Sequence, residues 1–250
     1  RSIQTQEQQP IATTNELEKW ERVGGSTIIV GDSEGDYASF GMDLSLGGNC
    51  LAVGYPGNGN GFVRVFRLDD DEWKQQGQTL AGPSLMSQFG STVSIAENGT
   101  HLVVGAPMAG EQEEGMAQVY IWMEESNMWM EGGEALLNGS PGDRFGSSVQ
   151  ISGDGSVVVV GAPGDDTKWE DGGRIYFFLR ESSSSSARTS DGCMPNGCWK
   201  EVLNPSCKVS GDWNGDQLGQ KLVLTSSGDT VITSSISRGT DFVESPYGGA

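Results

Sequence analysis

Apolar and polar residues alternate in short runs along this chain, and one stretch, "FGSSVQISGDGSVVVVGAP" (145–163), shows the scheme in full. Val149 and Ile151 alternate with Ser148 and Gln150, which predicts a strand with one covered face. Val157 to Val160 run without a polar residue, as expected of a strand covered on both faces. A Gly-Asp-Gly turn joins the two. Gly-Ala-Pro ends the second, because proline cannot donate to a ladder while glycine and alanine allow close approach.

The same pattern recurs. "FGMDLSLGGNCLAVGYP" (40–56), "FGSTVSIAENGTHLVVGAP" (89–107) and "LGQKLVLTSSGDTVITSSI" (218–236) align with it end to end, so repeats begin near residues 40, 89, 145 and 218. An alternating run follows each of the first three copies: "GFVRVF" (61–66), "AQVYIW" (117–122) and "GRIYFF" (173–178). A tryptophan and a later apolar residue come next: Trp73 with Leu80, Trp129 with Leu136, Trp199 with Val209, and at the start of the chain Trp20 with Ile28 and Ile29. Four short antiparallel strands per period of about 50 residues predict an all-β fold, a β-propeller of four-stranded blades. A β-sandwich with accidental internal similarity is the alternative. The Phe-Gly pair sets a ring beside a position with no side chain, which suits a strand starting at a crowded contact between blades.

Phe-Gly, hairpin and Gly-Ala-Pro together resemble the FG-GAP repeat of integrin α-subunit propellers and related extracellular propellers. Phe89-Gly90 with Gly105-Ala106-Pro107 and Phe145-Gly146 with Gly161-Ala162-Pro163 match in full. Phe40-Gly41 with Gly54-Tyr55-Pro56 departs by one residue, and the fourth copy keeps little beyond Leu218-Gly219. The resemblance covers residues 20–250, with 1–19 read as a flexible polar lead-in. It implies seven blades, or about 350 residues at about 50 per blade; the chain is therefore read as part of a longer propeller, truncated before closure. The resemblance also implies calcium in the hairpin between the two signature strands. Here "GGN", "AENGT", "SGDGS" and "TSSGD" are too short to wrap an ion that needs six to eight oxygens. The weak calcium candidate is "DWNGD", with Asp212, Asn214 and Asp216, in a different loop; a solvated acidic loop is the favoured reading, and no cofactor is expected.

Composition narrows the function. The chain carries 34 acidic against 15 basic residues, a formal charge of -19. That argues against DNA, RNA or an anionic membrane as partner and for a basic or cationic one. No apolar run is long enough to cross a bilayer, so no direct membrane insertion is expected of this segment. The Ser-rich, Cys-containing stretch 181–198 reads as an insertion inside the third blade, with a Cys193–Cys198 bridge as the first disulfide candidate and a zinc site as its rival. Cys50 reads as a buried free thiol. Asn98 heads an Asn-Gly-Thr acceptor sequon in a hairpin, and Asn138 heads a weaker one followed by proline. Sequon and cysteines favour an extracellular or cell-surface location.

Blade topology sorts the acids. Loops 31–38, 82–88, 139–144 and 211–217 join one blade to the next and share a face with loops 57–60, 108–114, 164–172 and 237–248. On that face lie Asp32, Glu34, Asp36, Glu111, Glu113, Glu114, Asp143, Asp165, Asp166, Glu170, Asp171, Asp212, Asp216, Asp241 and Glu244, against only Arg144, Lys168 and Arg238. Tyr37, Trp169, Trp213, Phe242 and Tyr247 are interleaved with them. In integrin-like propellers this face meets partners. The expected partner-binding residues are Asp32, Asp36, Glu113, Glu114, Asp143, Asp165, Asp166, Trp169, Asp171, Asp212, Trp213 and Asp216.

The expectation is a non-catalytic protein-binding module, an adhesion or scaffold propeller. A carbohydrate-binding propeller is one alternative, although the aromatic loop positions do not recur from blade to blade; a scaffold subunit of a larger membrane-associated complex is another. No catalytic residue is assigned, since the single histidine, His101, lies in a strand pattern and no nucleophile elbow, metal-binding His pair or phosphate loop occurs.

Overall fold

The computed structural model describes residues 29–57, 59–181, 198–203, 209–236 and 239–244. The expected outer strand around Trp20 and the position of Cys193 lie outside them. All regular structure within them is β, in four antiparallel sheets. The first holds β1 (Met42–Leu44), β2 (Cys50–Tyr55), β3 (Phe62–Asp69), β4 (Glu72–Gln75) and β5 (Leu80–Ala81). The second holds β6 (Thr92–Ile95), β7 (His101–Ala106), β8 (Met116–Met123) and β9 (Met128–Glu131). β10 (Ser148–Ile151), β11 (Val157–Ala162), β12 (Arg174–Glu181), β13 (Cys198–Glu201) and β14 (Val209–Ser210) form the third, and β15 (Leu222–Leu224), β16 (Thr230–Ser235) and β17 (Gly239–Glu244) the fourth. Each sheet runs in sequence order, as a propeller blade does.

The core lies between blades, and a period of two in the second strands explains it. Leu102, Val104 and Ala106 of β7 pack with Val63 and Val65 of the first blade, while Val103 joins Phe145, Val149 and Val158 of the third. β11 repeats the division, with Val158 and Val160 facing back and Val159 forward onto Leu222 and Val231. The unbroken apolar runs are therefore covered on both faces.

The signature residues meet at these junctions. Phe89, Phe145 and Leu218 are buried, and each forms a parallel bridge to the glycine before the third strand of the preceding blade: Gly61, Gly115 and Gly173. The glycine of Gly-Ala-Pro touches the Phe-Gly glycine of the next blade, so closely that a Cβ on Gly105 would lie 2.1 Å from the Gly146 carbonyl oxygen. The motif is thus a glycine-to-glycine seam between blades. Phe40, with no preceding blade among the described residues, is 74% exposed.

Two details differ from the sequence expectation. The fourth strand is split: β4 pairs with one end of β3 and β5 with the other, as β13 and β14 do on β12. Gly77, at φ 76, breaks the first of these between Trp73 and Leu80. Residues 239–244, expected within a loop, form β17 against β16, so Asp241 and Glu244 are strand residues. The backbone of "GTDFVE" completes the ladder although only two of its residues are apolar.

Candidate functional site

Loops joining consecutive blades begin with glycine and end at the Phe-Gly pair or its equivalent: "GDSEGDYASFG" (31–41), "GPSLMSQFG" (82–90), "GSPGDRFG" (139–146) and "GDWNGDQLG" (211–219). Each is hydrogen-bonded to the loop between the second and third strands of a neighbouring blade. Gly57 N donates to Asp36 O, Met86 N to Gly59 O and Met108 N to Ser87 O. Further round, Gly142 N donates to Gln112 O, Gly164 N to Asp143 O, Gly215 N to Glu170 O and Ile236 N to Asp216 O. All these loops form one continuous arc on one face.

Four of the expected partner-binding acids are buried instead: Asp36, Asp143, Asp165 and Asp216 are 2–3% exposed. Three occupy the same place in their loops. Asp36 Oδ2 accepts from Ser33 N at 2.8 Å, Asp143 Oδ2 from Ser140 N at 2.7 Å, and Asp216 Oδ2 from Asp212 N and Trp213 N at 2.8 and 3.0 Å. Their carboxylates close the turn on which the next blade starts. Ser87 stands at this position in the second blade and donates its hydroxyl to Asn60 O at 2.7 Å. Asp165 accepts from Thr167 N and from the Tyr176 hydroxyl, at 2.8 and 2.6 Å. Burial, opposed by the Ser140 hydrogen bond and reinforced by the charges of Asp165 and Asp166, pushes the Asp143 carboxyl up to about 6.

The remaining candidates lie at the surface. Between the third and fourth blades, Trp169 and Trp213 are 43% and 55% exposed. Lys168 Nζ reaches Asp212 Oδ1 at 3.0 Å, and Asp171 N donates to Asp166 Oδ1 at 2.6 Å, so Asp166, Trp169, Asp171, Asp212 and Trp213 share one pair of loops. Glu113 and Glu114 are half-buried in the second blade, where Glu113 pairs with Arg144 at 3.2 Å and Glu114 accepts from Gln112 N. Asp32 stands apart on the first blade, held by Arg64, whose guanidinium lies over the Tyr55 and Phe62 rings. The arrangement is an acidic rim with aromatic anchors at one end.

The weak calcium candidate, Asp212 and Asp216 with Asn214, does not turn its carboxylates to a common point. Asp216 is turned to its own backbone and Asp212 to Lys168. In the hairpin of the third blade Asp154 is occupied by Ser152 and Ser156. Among the described residues no three His, Cys, Asp or Glu side chains are placed together to hold a metal. Sequence reasoning missed the apolar side of the same face: Leu85 and Met86 are 76% and 80% exposed beside Tyr37. Aligning the four loops by residue would have shown Met86 in a column otherwise filled by Gly35, Gly142 and Gly215.

Elsewhere, Cys50 is buried and free, and burial raises its thiol to about 11. Cys198 is disulfide-bonded. Asn98 is exposed at the tip of a hairpin, where its Oδ1 accepts from Thr100 N and Oγ1. Asn138 is half-buried and its Nδ2 donates to Glu201 Oε2 at 2.7 Å.

Residues 137–178 match the FG-GAP repeat family. Human integrin alpha-7 is 27% identical over 185 residues, 70% of this chain and 15% of that protein; chicken integrin alpha-8 is 27% identical over 162 residues, 58% of this chain and 15% of that one. The chain thus spans less than a sixth of the length of these curated relatives. Among solved structures, Kuenenia stuttgartiensis hydrazine synthase superposes with a TM-score of 0.51 at 13% identity, over 88% of this chain and 49% of that one. A Bacteroides uniformis protein described as a candidate 6-phosphogluconolactonase superposes with 0.54 at 10%, over 81% and 49%; both show the fold alone.

The chain is a propeller-type domain of four-stranded antiparallel sheets, in which residues 137–178 match the FG-GAP repeat. In sequence the chain is similar to part of the integrin α subunits.

Proposed function

We propose that the chain is a non-catalytic adhesion or scaffold module of the extracellular space or cell surface, which binds a basic protein surface with its acidic loop face. The observation that carries the reading is the continuous hydrogen-bonded arc of loops from which Asp32, Asp166, Asp171, Asp212, Trp169 and Trp213 project at the surface. The rigid loops pre-organise the contact, the exposed acids steer encounter with a cationic partner, and the tryptophans supply buried anchors. Likeness to integrin α relatives and the exposed sequon at Asn98 support the surface location. The buried acids are structural and leave the contact set.

The test uses charge reversal at exposed positions only. A D166K/D171K/D212K variant and the parent chain are compared for binding to a panel of immobilised extracellular domains, at 50 and 300 mM salt. Partners of the parent should be lost from the variant at least tenfold and weaken with salt. Retention of every partner at full affinity would place the contact elsewhere.

A further inference from the structure

The loop that starts the second blade departs from its three counterparts in a way that costs stability and exposes apolar surface. At its tip the other loops carry Glu34-Gly35, Pro141-Gly142 and Asn214-Gly215; this one carries Leu85-Met86. The backbone there is left-handed in all four, at φ 91, 85 and 75 for the glycines and 61 for Met86. Glycine takes this conformation freely, whereas a residue with a Cβ is strained in it. A strained, fully presented methionine at a position where the repeat offers glycine points to use at that site.

The loop is held in place. Met86 N donates to Gly59 O at 2.8 Å, Ser87 is fully buried, and Met108 N donates to Ser87 O at 3.2 Å. Leu85 and Met86 form one wall of a groove of about 530 Å³, whose other sides are Tyr37, Phe40, Pro56 and Met108. Tyr37 is 68% exposed and, with Leu85 and Met86 beside it, presents a contiguous apolar surface. Acidic residues occupy the loops on both flanks, Asp32 and Glu34 on one and Glu111, Glu113 and Glu114 on the other. The nearby cations are already paired, Arg64 to Asp32 and Arg144 to Glu113.

We propose that this groove is a docking site for a protein segment that inserts one aromatic or branched aliphatic side chain, flanked by lysine or arginine, between Leu85-Met86 and Tyr37. The apolar floor takes the anchor and the acidic flanks take the charges, which fits the division between a buried core and a charged rim at protein interfaces. This rests on the reading that the loop face binds a basic partner, and it moves the centre of that contact from the Trp169–Trp213 end to the first and second blades.

The probe is a set of fluorescein-labelled ten-residue peptides. One series has a central Trp or Leu between Lys/Arg flanks, a second has the same anchors between Glu flanks, and a third has Ala between Lys/Arg flanks. Binding is read by anisotropy, and its location by the ¹³C-methyl signals of methionine together with tryptophan fluorescence. An L85N/M86G variant, which copies the tip of the fourth loop, serves as the control; by removing the left-handed methionine it should melt at the same temperature as the parent or higher.

The basic series with an apolar anchor should bind at least tenfold more tightly than either other series, shift the Met86 and Met108 methyls, and weaken at least tenfold on the variant. Equal binding by the variant, or by the Glu-flanked series, overturns the proposal. A response of Trp169 and Trp213 without any methyl shift also overturns it but keeps the acidic-face reading. If no peptide moves either probe, both readings fall. Should the parent self-associate in sedimentation and the variant not, the occupant is a second copy and the basic segment is refuted.

Discussion

The two faces of the arc are built to different rules. On the hairpin side, short turns nest on one another: Gly99 packs on Cys50, Gly155 on His101 and Gly228 on Val157. Glu97 N donates to Gly153 O and Gly153 N to Ser226 O, which links neighbouring hairpins directly. On the loop side a constant base, closed by Asp36, Ser87, Asp143 and Asp216, supports tips that differ in every blade. Gly155 has His101 against it, whereas Gly142, at a loop tip, has open space where a Cβ would stand. One face is therefore packed to its surface, and the other is packed only as far as the base of its loops.

That contrast can be broken most directly at those two glycines. Both have positive φ, 71 at Gly155 and 85 at Gly142, so alanine strains either backbone. At Gly155 the new methyl would also lie 2.7 Å from His101 Cγ. Urea denaturation should show Gly155→Ala costing about 3 kcal/mol and Gly142→Ala about 1 kcal/mol. Equal losses would mean that the hairpin face is no tighter than the loop face.

The faces also respond to pH with opposite sign. On the loop side the Asp143 carboxyl titrates at about 6 instead of 3.8, so the folded chain holds a proton that the unfolded chain has lost. Its contribution is full below about pH 3.8 and disappears as pH rises through 6. On the hairpin side burial, together with the adjacent Arg180 guanidinium and despite the pull of Asp154, lowers His101 from 6.5 to about 4. Thr100 Oγ1 lies 2.9 Å from its Nδ1. There the unfolded chain takes up the proton first, so this contribution is full above about pH 6.5 and is lost as pH falls through 4. Each amounts to as much as about 3 kcal/mol, and in the parent they oppose one another between pH 4 and 6. Denaturation midpoints across that window should rise more steeply with pH in Asp143→Asn and fall with pH in His101→Gln. Parallel curves for the two variants would sink the assignment.

The smallest expected effect concerns sugar. Asn98 lies exposed on the hairpin face, while the side-chain nitrogen of Asn138 is engaged by Glu201. Expressed through a secretory route, the chain should lose a glycan mass in Asn98→Gln and none in Asn138→Gln, with partner binding on the loop face unchanged in both. A mass change confined to Asn138→Gln would reverse the choice.

Much of the fold was legible because it repeats: Phe-Gly and Gly-Ala-Pro recur in register, and the valine runs of β7 and β11 declare strands covered on both faces. β17 escaped because its six residues carry two apolar side chains, and its place is set by the ladder with β16. The split of the fourth strand, at Gly77 in the first blade, left the Trp-to-Leu spacing looking like one continuous element. At the site, Asp36, Asp143 and Asp216 read as surface charge because aspartate usually is. Only their recurrence directly before a left-handed residue, Tyr37 at φ 52, Arg144 at φ 53 and Gln217 at φ 49, marks them as structural.

The connection between β12 and β13 has a practical side. In the third blade Glu181 and Cys198 face each other as a cross-strand pair, so the sixteen residues between them leave and re-enter the sheet at one point. Lengthening such an excursion adds only a slowly growing closure entropy. That end of the blade, beside the hairpin turn at Ser156, is consequently a ready attachment point for a fluorophore or an affinity tag on the side away from the loop face.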